Sequence, residues 1–122
     1  MKQLLWLDDV RNPYKGTWLN TFAPDYQINN VVTWVKSFNE FKEWIEKNGL
    51  PDMICFDHDL GEDLDKGLIK KEAPSGFHCV KWLVDYCLDR NLDFPMYNIQ
   101  SANPVGADNI NSMIQSYRKF RL

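Results

Sequence analysis

Short apolar runs alternate with stripes of apolar residues at helical spacing along this chain. Leu4 to Leu7, the β-branched Val31 to Val35, the continuously apolar Met53 to Phe56, and Pro95 to Gln100 each read as a strand. Between the second and third runs, Ser37 and Glu40 have capping-box spacing. Phe38, Phe41, Trp44 and Ile45 then form one helical face, ended by Gly49 and Pro51. A second helix, with Ser75 as its candidate cap, presents Phe77, Val80, Leu83, Val84, Cys87 and Leu88. A third follows a turn at Ser101 to Gly106 and presents Ile110, Met113, Ile114 and Tyr117. Two stretches lack a period. Val10 to Asn30, with Pro13, Gly16 and Pro24, reads as a long ordered loop pinned by Tyr14, Trp18, Leu19 and Phe22. Asp57 to Pro74, with Gly61, Gly67 and Pro74, reads as a loop or lid.

Strands alternating with helices predict an α/β fold with a parallel sheet, and right-handed crossovers leave few topologies. Strand order 2-1-3-4 is favoured, since it is the flavodoxin-like order with its end removed. In that order strands one and three flank the switch point where such sheets bind ligands. No repeat or low-complexity segment interrupts the 122 residues, which read as a single domain, 1–122.

The switch point gives two acidic strings their meaning. Leu7-Asp8-Asp9 and Phe56-Asp57-His58-Asp59 each begin where an apolar run ends. On neighbouring strands, Asp8, Asp9 and Asp57 converge in one crevice, and crowded carboxylates repel each other unless a proton or cation intervenes. Mg²⁺ is the natural cation, because it binds through a few carboxylates and keeps water for a phosphate substrate. The bland reading is that Asp8 and Asp9 cap a turn and Asp57 is solvated. His58 has the titration range of a general acid or base, or merely positions the loop. Asp59 would orient His58 or reach the metal through water. A calcium loop starting at Asp57 fails, because Gly61 and Leu68 stand where ligands are needed.

Ser101, Asn103 and Gly106, between the last strand and a helix, make a candidate phosphate cradle as well as an ordinary turn. Arg11 either contacts phosphate or pairs with an aspartate. Lys70 and Lys71 read as a solvated pair, His78 as a surface or capping residue, and Trp34, Trp44 and Trp82 as core.

Composition narrows the class. Hydrophobic residues make up 44% and the formal net charge is −3, which suits a packed core and argues against strong binding to duplex nucleic acid. The basic Arg118, Lys119 and Arg121 complement the end of a final helix. Cys55, Cys79 and Cys87, an odd number without metal or disulfide spacing, read as buried thiols in a reducing cytoplasm. Asp8 and Asp9 end the first apolar run too early for a signal sequence or membrane span.

Taken together, Leu7-Asp8-Asp9-Val10-Arg11-Asn12-Pro13, Phe56-Asp57-His58-Asp59-Leu60-Gly61, Ser75-Gly76 and Ser101-Ala102-Asn103-Pro104-Val105-Gly106 resemble the cyclic-phosphate processing receiver-like domain of bacteria and phages. The resemblance spans nearly the whole chain and implies a small receiver-like three-layer fold. By it, Asp8, Asp9 and Asp57 correspond to the Mg²⁺-binding acidic pocket. Asp57 matches the phospho-accepting position, and Ser101 the hydroxyl after the fourth strand. Two departures stand out. The sequence ends before a fifth strand with its Lys, which argues against phosphoryl relay. Gln100 stands where the family often has a His before the Ser, which argues against a two-histidine mechanism.

The expected function is a Mg²⁺-dependent phosphoesterase acting on a cyclic-phosphate nucleotide, sugar or RNA end. Asp57, His58 and Asp59 would be catalytic, with Asp57 either holding the metal or attacking phosphorus itself. Asp8, Asp9 and Asp57 would form the metal site, and Arg11, Ser101, Asn103 and Gly106 the phosphate site. The alternative is a receiver-like module that binds a phosphate or nucleotide signal without turnover, which in a phage would suit countering a host defence. A minimal haloacid-dehalogenase-like phosphatase also has Asp57-x-Asp59 after a strand, but its later Lys and acidic motif are missing. Oligomeric state is not legible.

Overall fold

Local chemistry sets the elements of the computed structural model, which describes residues 2–26, 30–57, 76–100 and 104–122. Ser37 caps helix α2 (Phe38–Asn48), its Oγ accepting the Glu40 N–H at 3.1 Å. The Glu40 carboxylate reaches back to the Lys36 N–H at 3.2 Å, one residue before the cap. Gly49 ends the helix at φ 81°, a conformation costly for residues with a Cβ, and its N–H closes on Ile45 O at 2.8 Å. Thus the Ser37 cap and the stop signal operate as predicted, while the reciprocal bond of the capping box falls one residue early.

The strands are β1 (Gln3–Leu7), β2 (Val31–Val35), β3 (Met53–Phe56) and β4 (Met96–Ile99), joined in one parallel sheet of order β2-β1-β3-β4. This is the receiver-like α/β arrangement expected from the sequence. Helices α2, α3 (Gly76–Arg90) and α4 (Pro104–Arg121) cover one face. Their Phe41, Ile45, Val80, Leu83, Ile110 and Ile114 pack on Leu5, Leu7, Ile54 and Phe56. The other face carries a smaller cluster of Leu4, Trp6, Cys55, Ala23 and Tyr26.

The structure corrects four readings. The loop from Val10 to Asn30 contains a short helix α1 (Trp18–Phe22) and a 3₁₀ turn (Pro24–Tyr26). One turn and a half is too short for a hydrophobic period to register. Only Leu19 and Phe22 of the expected pins pack on the small cluster, whose buried members from this stretch are Ala23 and Tyr26. Leu88 is exposed, and Cys79 is the buried residue that completes the α3 face instead. Helix α4 begins at Pro104, a favourable first helical position, so Gly106 lies inside its first turn. Finally, Trp34, Trp44 and Trp82 pack at the margins of the core, whereas Trp6 is fully buried. The three cysteines are buried thiols outside any disulfide, as expected. Among the described residues, no helix is long and apolar enough to cross a membrane.

Candidate metal and phosphate site

Each strand that ends at the candidate site continues its ladder by one residue. The Asp8 N–H donates to Val35 O at 3.1 Å, Asp57 N–H to Leu7 O at 3.0 Å, and Gln100 N–H to Phe56 O at 2.7 Å. Asp8, Asp57 and Gln100 therefore stand in one row along the carboxyl edge of β1, β3 and β4. Strand side chains alternate between faces. Leu7 and Phe56 belong to the helix-covered face, so the next residues turn to the side of Trp6 and Cys55.

Carboxylate oxygens of Asp8, Asp9 and Asp57 all lie within 4.8 Å of one another. Asp8 is fully buried, Asp57 is 6% exposed, and Asp9 is half-buried. The convergence expected from two separated acidic strings is present.

Asp8 is held from four directions. Its Oδ1 accepts the N–H groups of Val10 and Arg11, both at 2.9 Å. Its Oδ2 accepts Arg11 Nη1 at 3.0 Å and Gln100 Nε2 at 2.9 Å. A carboxylate has about four lone-pair sites, and these contacts use them. Asp8 thereby anchors the loop that carries Asp9, and together with Asp9 and Asp57 it completes the acidic cluster. Both nearby indoles serve that loop: Trp34 Nε1 donates to Asp8 O at 2.7 Å, and Trp6 Nε1 to Arg11 O at 2.9 Å.

Arg11 takes up the pairing that the sequence left open as an alternative to phosphate contact. Its Nη1 bridges Asp8 Oδ2 and Gln100 O, the latter at 2.7 Å, and its guanidinium lies over the Trp18 ring at 5.2 Å. Among the described residues, Arg11 brings a positive charge to this cluster of three acids. Clustered carboxylate oxygens at this spacing are the ligand set that a divalent, oxygen-loving ion takes. The residues fit Mg²⁺.

Cys55 points to the same side two residues before Asp57, but burial pushes its thiol up to about 12, so it is no nucleophile at neutral pH. Gly106 is buried in the first turn of α4. His58, Asp59, Ser101 and Asn103 lie outside the described residues, as do the Ser75 cap, Lys70, Lys71 and the body of the expected lid. Sequence reasoning undervalued Gln100, which was noticed only as a missing histidine. Gln100 too follows directly on a strand, but β4 has an exposed Met96 and only half-buried Tyr97, Asn98 and Ile99, so the buried run that marked Asp8 and Asp57 is missing.

A parallel sheet in this order, with an acidic cluster at the carboxyl edge of its two central strands, defines a receiver-like domain. A family model described as the cyclic-phosphate processing receiver domain matches residues 3–116, and the chain belongs to that family. No curated protein matches the sequence. Among solved structures, a fusion of amino acids 181–211 of the yeast Spc42 trimeric coiled coil to another structure is similar, with a TM-score of 0.58 and 14% identity. The similarity covers 98% of this chain and 76% of that one, and it is a likeness of fold.

Proposed function

We propose that this domain is a Mg²⁺-dependent phosphoesterase that opens a cyclic phosphate on a nucleotide, sugar or RNA end. Family membership ties the chain to cyclic-phosphate processing. The reaction type rests on one observation: carboxylate oxygens of three acids within 4.8 Å of one another at adjacent strand ends.

In this reading Asp9 and Asp57 hold the ion. Asp8 keeps Asp9 and Arg11 in place through its four hydrogen bonds. When bound, the ion supplies a Lewis acid for a phosphoryl oxygen and lowers the pKa of water. His58 moves the proton and Asp59 orients it. Ser101, Asn103 and the start of α4 at Gly106 receive the phosphate, as helix N-termini favour anions. Asp57 as a direct nucleophile is the variant of this reading, in which its carboxylate attacks phosphorus itself. The three buried thiols suit a reducing cytoplasm as the working compartment.

The test is hydrolysis of a panel of 2′,3′-cyclic, 3′,5′-cyclic and sugar cyclic phosphates, with Mg²⁺ and with chelator. We expect turnover that requires the metal and disappears in Asp57→Ala. Undiminished turnover in Asp57→Ala would remove the assigned mechanism. Ligand-induced stabilisation across the panel without product would establish a binding module instead.

A further inference from the structure

Gln100 is 1% exposed, and three of its four polar groups are occupied. Its N–H pairs with Phe56 O, its C=O accepts Arg11 Nη1, and its side-chain Nε2 donates to Asp8 Oδ2. The fourth, Oε1, is buried with no hydrogen-bond partner among the described residues. The orientation of the amide is not arbitrary. Turning it over would set Oε1 against the Asp8 carboxylate, two acceptors face to face, so the NH₂ end must face Asp8 and the oxygen the other way.

Topology says where that oxygen sits. Gln100 follows β4 and Asp8 follows β1, with β3 and Asp57 between them. The side chain spans from one to the other, so its amide lies across the end of β3, beside the Asp8, Asp9 and Asp57 cluster. A buried acceptor left unsatisfied is costly to the fold. Such an oxygen is satisfied by a hydrogen-bond donor, and the water shell of a cation held by the neighbouring acids supplies donors at this place.

We infer that Gln100 is a positioning residue of the cation site, its Oε1 accepting a hydrogen bond from the water shell that Mg²⁺ retains. This inference rests on the metal reading above. Gln100 then does two jobs with one amide: the nitrogen fixes Asp8, and the oxygen reads the hydrated ion. A histidine at this position could exchange protons, whereas an amide cannot. The chemistry that Gln100 brings to the site is therefore orientation.

The test measures Mg²⁺ binding by titration calorimetry on wild type, Gln100→Met and Gln100→Glu, with no substrate present. Partners of this kind are worth roughly tenfold or more in metal affinity. Gln100→Met, which lacks both amide ends, should bind Mg²⁺ about tenfold more weakly. Gln100→Glu lacks the nitrogen but keeps an oxygen, and should bind at least as tightly as wild type. In the wild type, substoichiometric Mn²⁺ should broaden the Gln100 side-chain amide resonances before those of Gln115 and Asn48. Unchanged affinity in Gln100→Met, or an equal loss in both variants, would overturn the inference and leave Gln100 as a support for Asp8 alone. A wild type that fails to bind Mg²⁺ would instead remove the metal reading itself.

Discussion

The two faces of the sheet are built to different standards. On one, α2, α3 and α4 bury fifteen residues in a continuous core that includes Leu5, Leu7, Ile54 and Phe56. On the other, among the described residues, five buried residues around Trp6 are covered by a short helix and a 3₁₀ turn. The acidic row belongs to the thinly covered side. Apolar burial stabilises by roughly 25 cal/mol per Å², so the helix-covered face carries most of the stability. The thin face can then accommodate what a core cannot: three crowded acids, a buried guanidinium contact and an amide oxygen without a protein partner. The alternation of strand side chains lets neighbours such as Leu7 and Asp8 serve these two purposes separately.

The largest effect should come from breaking the helix-covered face. Leu83 of α3 is fully buried in that core. Leu83→Ala removes apolar contact and leaves a cavity, for an expected loss of about 2–5 kcal/mol measured by chemical denaturation. The Mg²⁺ affinity of the fraction still folded should stay near that of wild type. A large fall in affinity at intact fold would show that the two faces are not energetically separate.

A smaller effect is expected on the opposite face. Trp34→Phe keeps an aromatic ring but deletes the indole N–H that donates to Asp8 O. The expected stability loss is about 1 kcal/mol, since Trp34 is only half-buried and water can replace the donor. The Mg²⁺-induced rise in melting temperature should shrink, because Asp8 anchors the loop that carries Asp9. A variant that is less stable yet responds fully to Mg²⁺ would place the Trp34 bond in the fold rather than in the site.

How far the chain was legible follows the same division. The strands, the α2 cap at Ser37 and the 2-1-3-4 order could be read because periodicity, capping spacing and crossover handedness act over many residues at once. Asp8, Asp9 and Asp57 could be placed together because each follows a readable strand. Helix α1 could not, since five residues from Trp18 to Phe22 show no period, and Thr17 gives it no side-chain cap bond. The Arg11 pairing was open at the sequence level, because a guanidinium three residues from Asp8 is equally able to reach a phosphate. Gln100 was obscured for another reason: an amide has no charge to advertise, and its role depends on a partner 92 positions away.

The smallest effect sharpens the comparison through pH. Cys55 lies on the thin face and Cys87 on the helix-covered one, and burial pushes both thiols up from the ordinary 9.0, to about 12 and about 11. For Cys87 desolvation is the main cause, the nearby Arg121 and Arg90 oppose the rise, and Asp93 adds to it. In the unfolded chain the thiols ionise near 9, while the folded protein keeps them protonated. Above pH 9 the unfolded state therefore holds fewer protons, and stability falls as pH rises. The contribution is fully present below pH 9 and is lost as pH climbs toward 11 for Cys87 and 12 for Cys55. Tyr26, raised chiefly by desolvation and then by Asp52, Asp25 and Cys55, adds to the slope above 10. Denaturation midpoints from pH 8 to 11 should be flat at first and then decline. Cys55→Ala should flatten the decline more than Cys87→Ala, whatever each substitution does to stability at pH 8. The opposite ranking would mean that the thin face admits water to Cys55, and that the acidic row beside it is less sealed than its burial indicates.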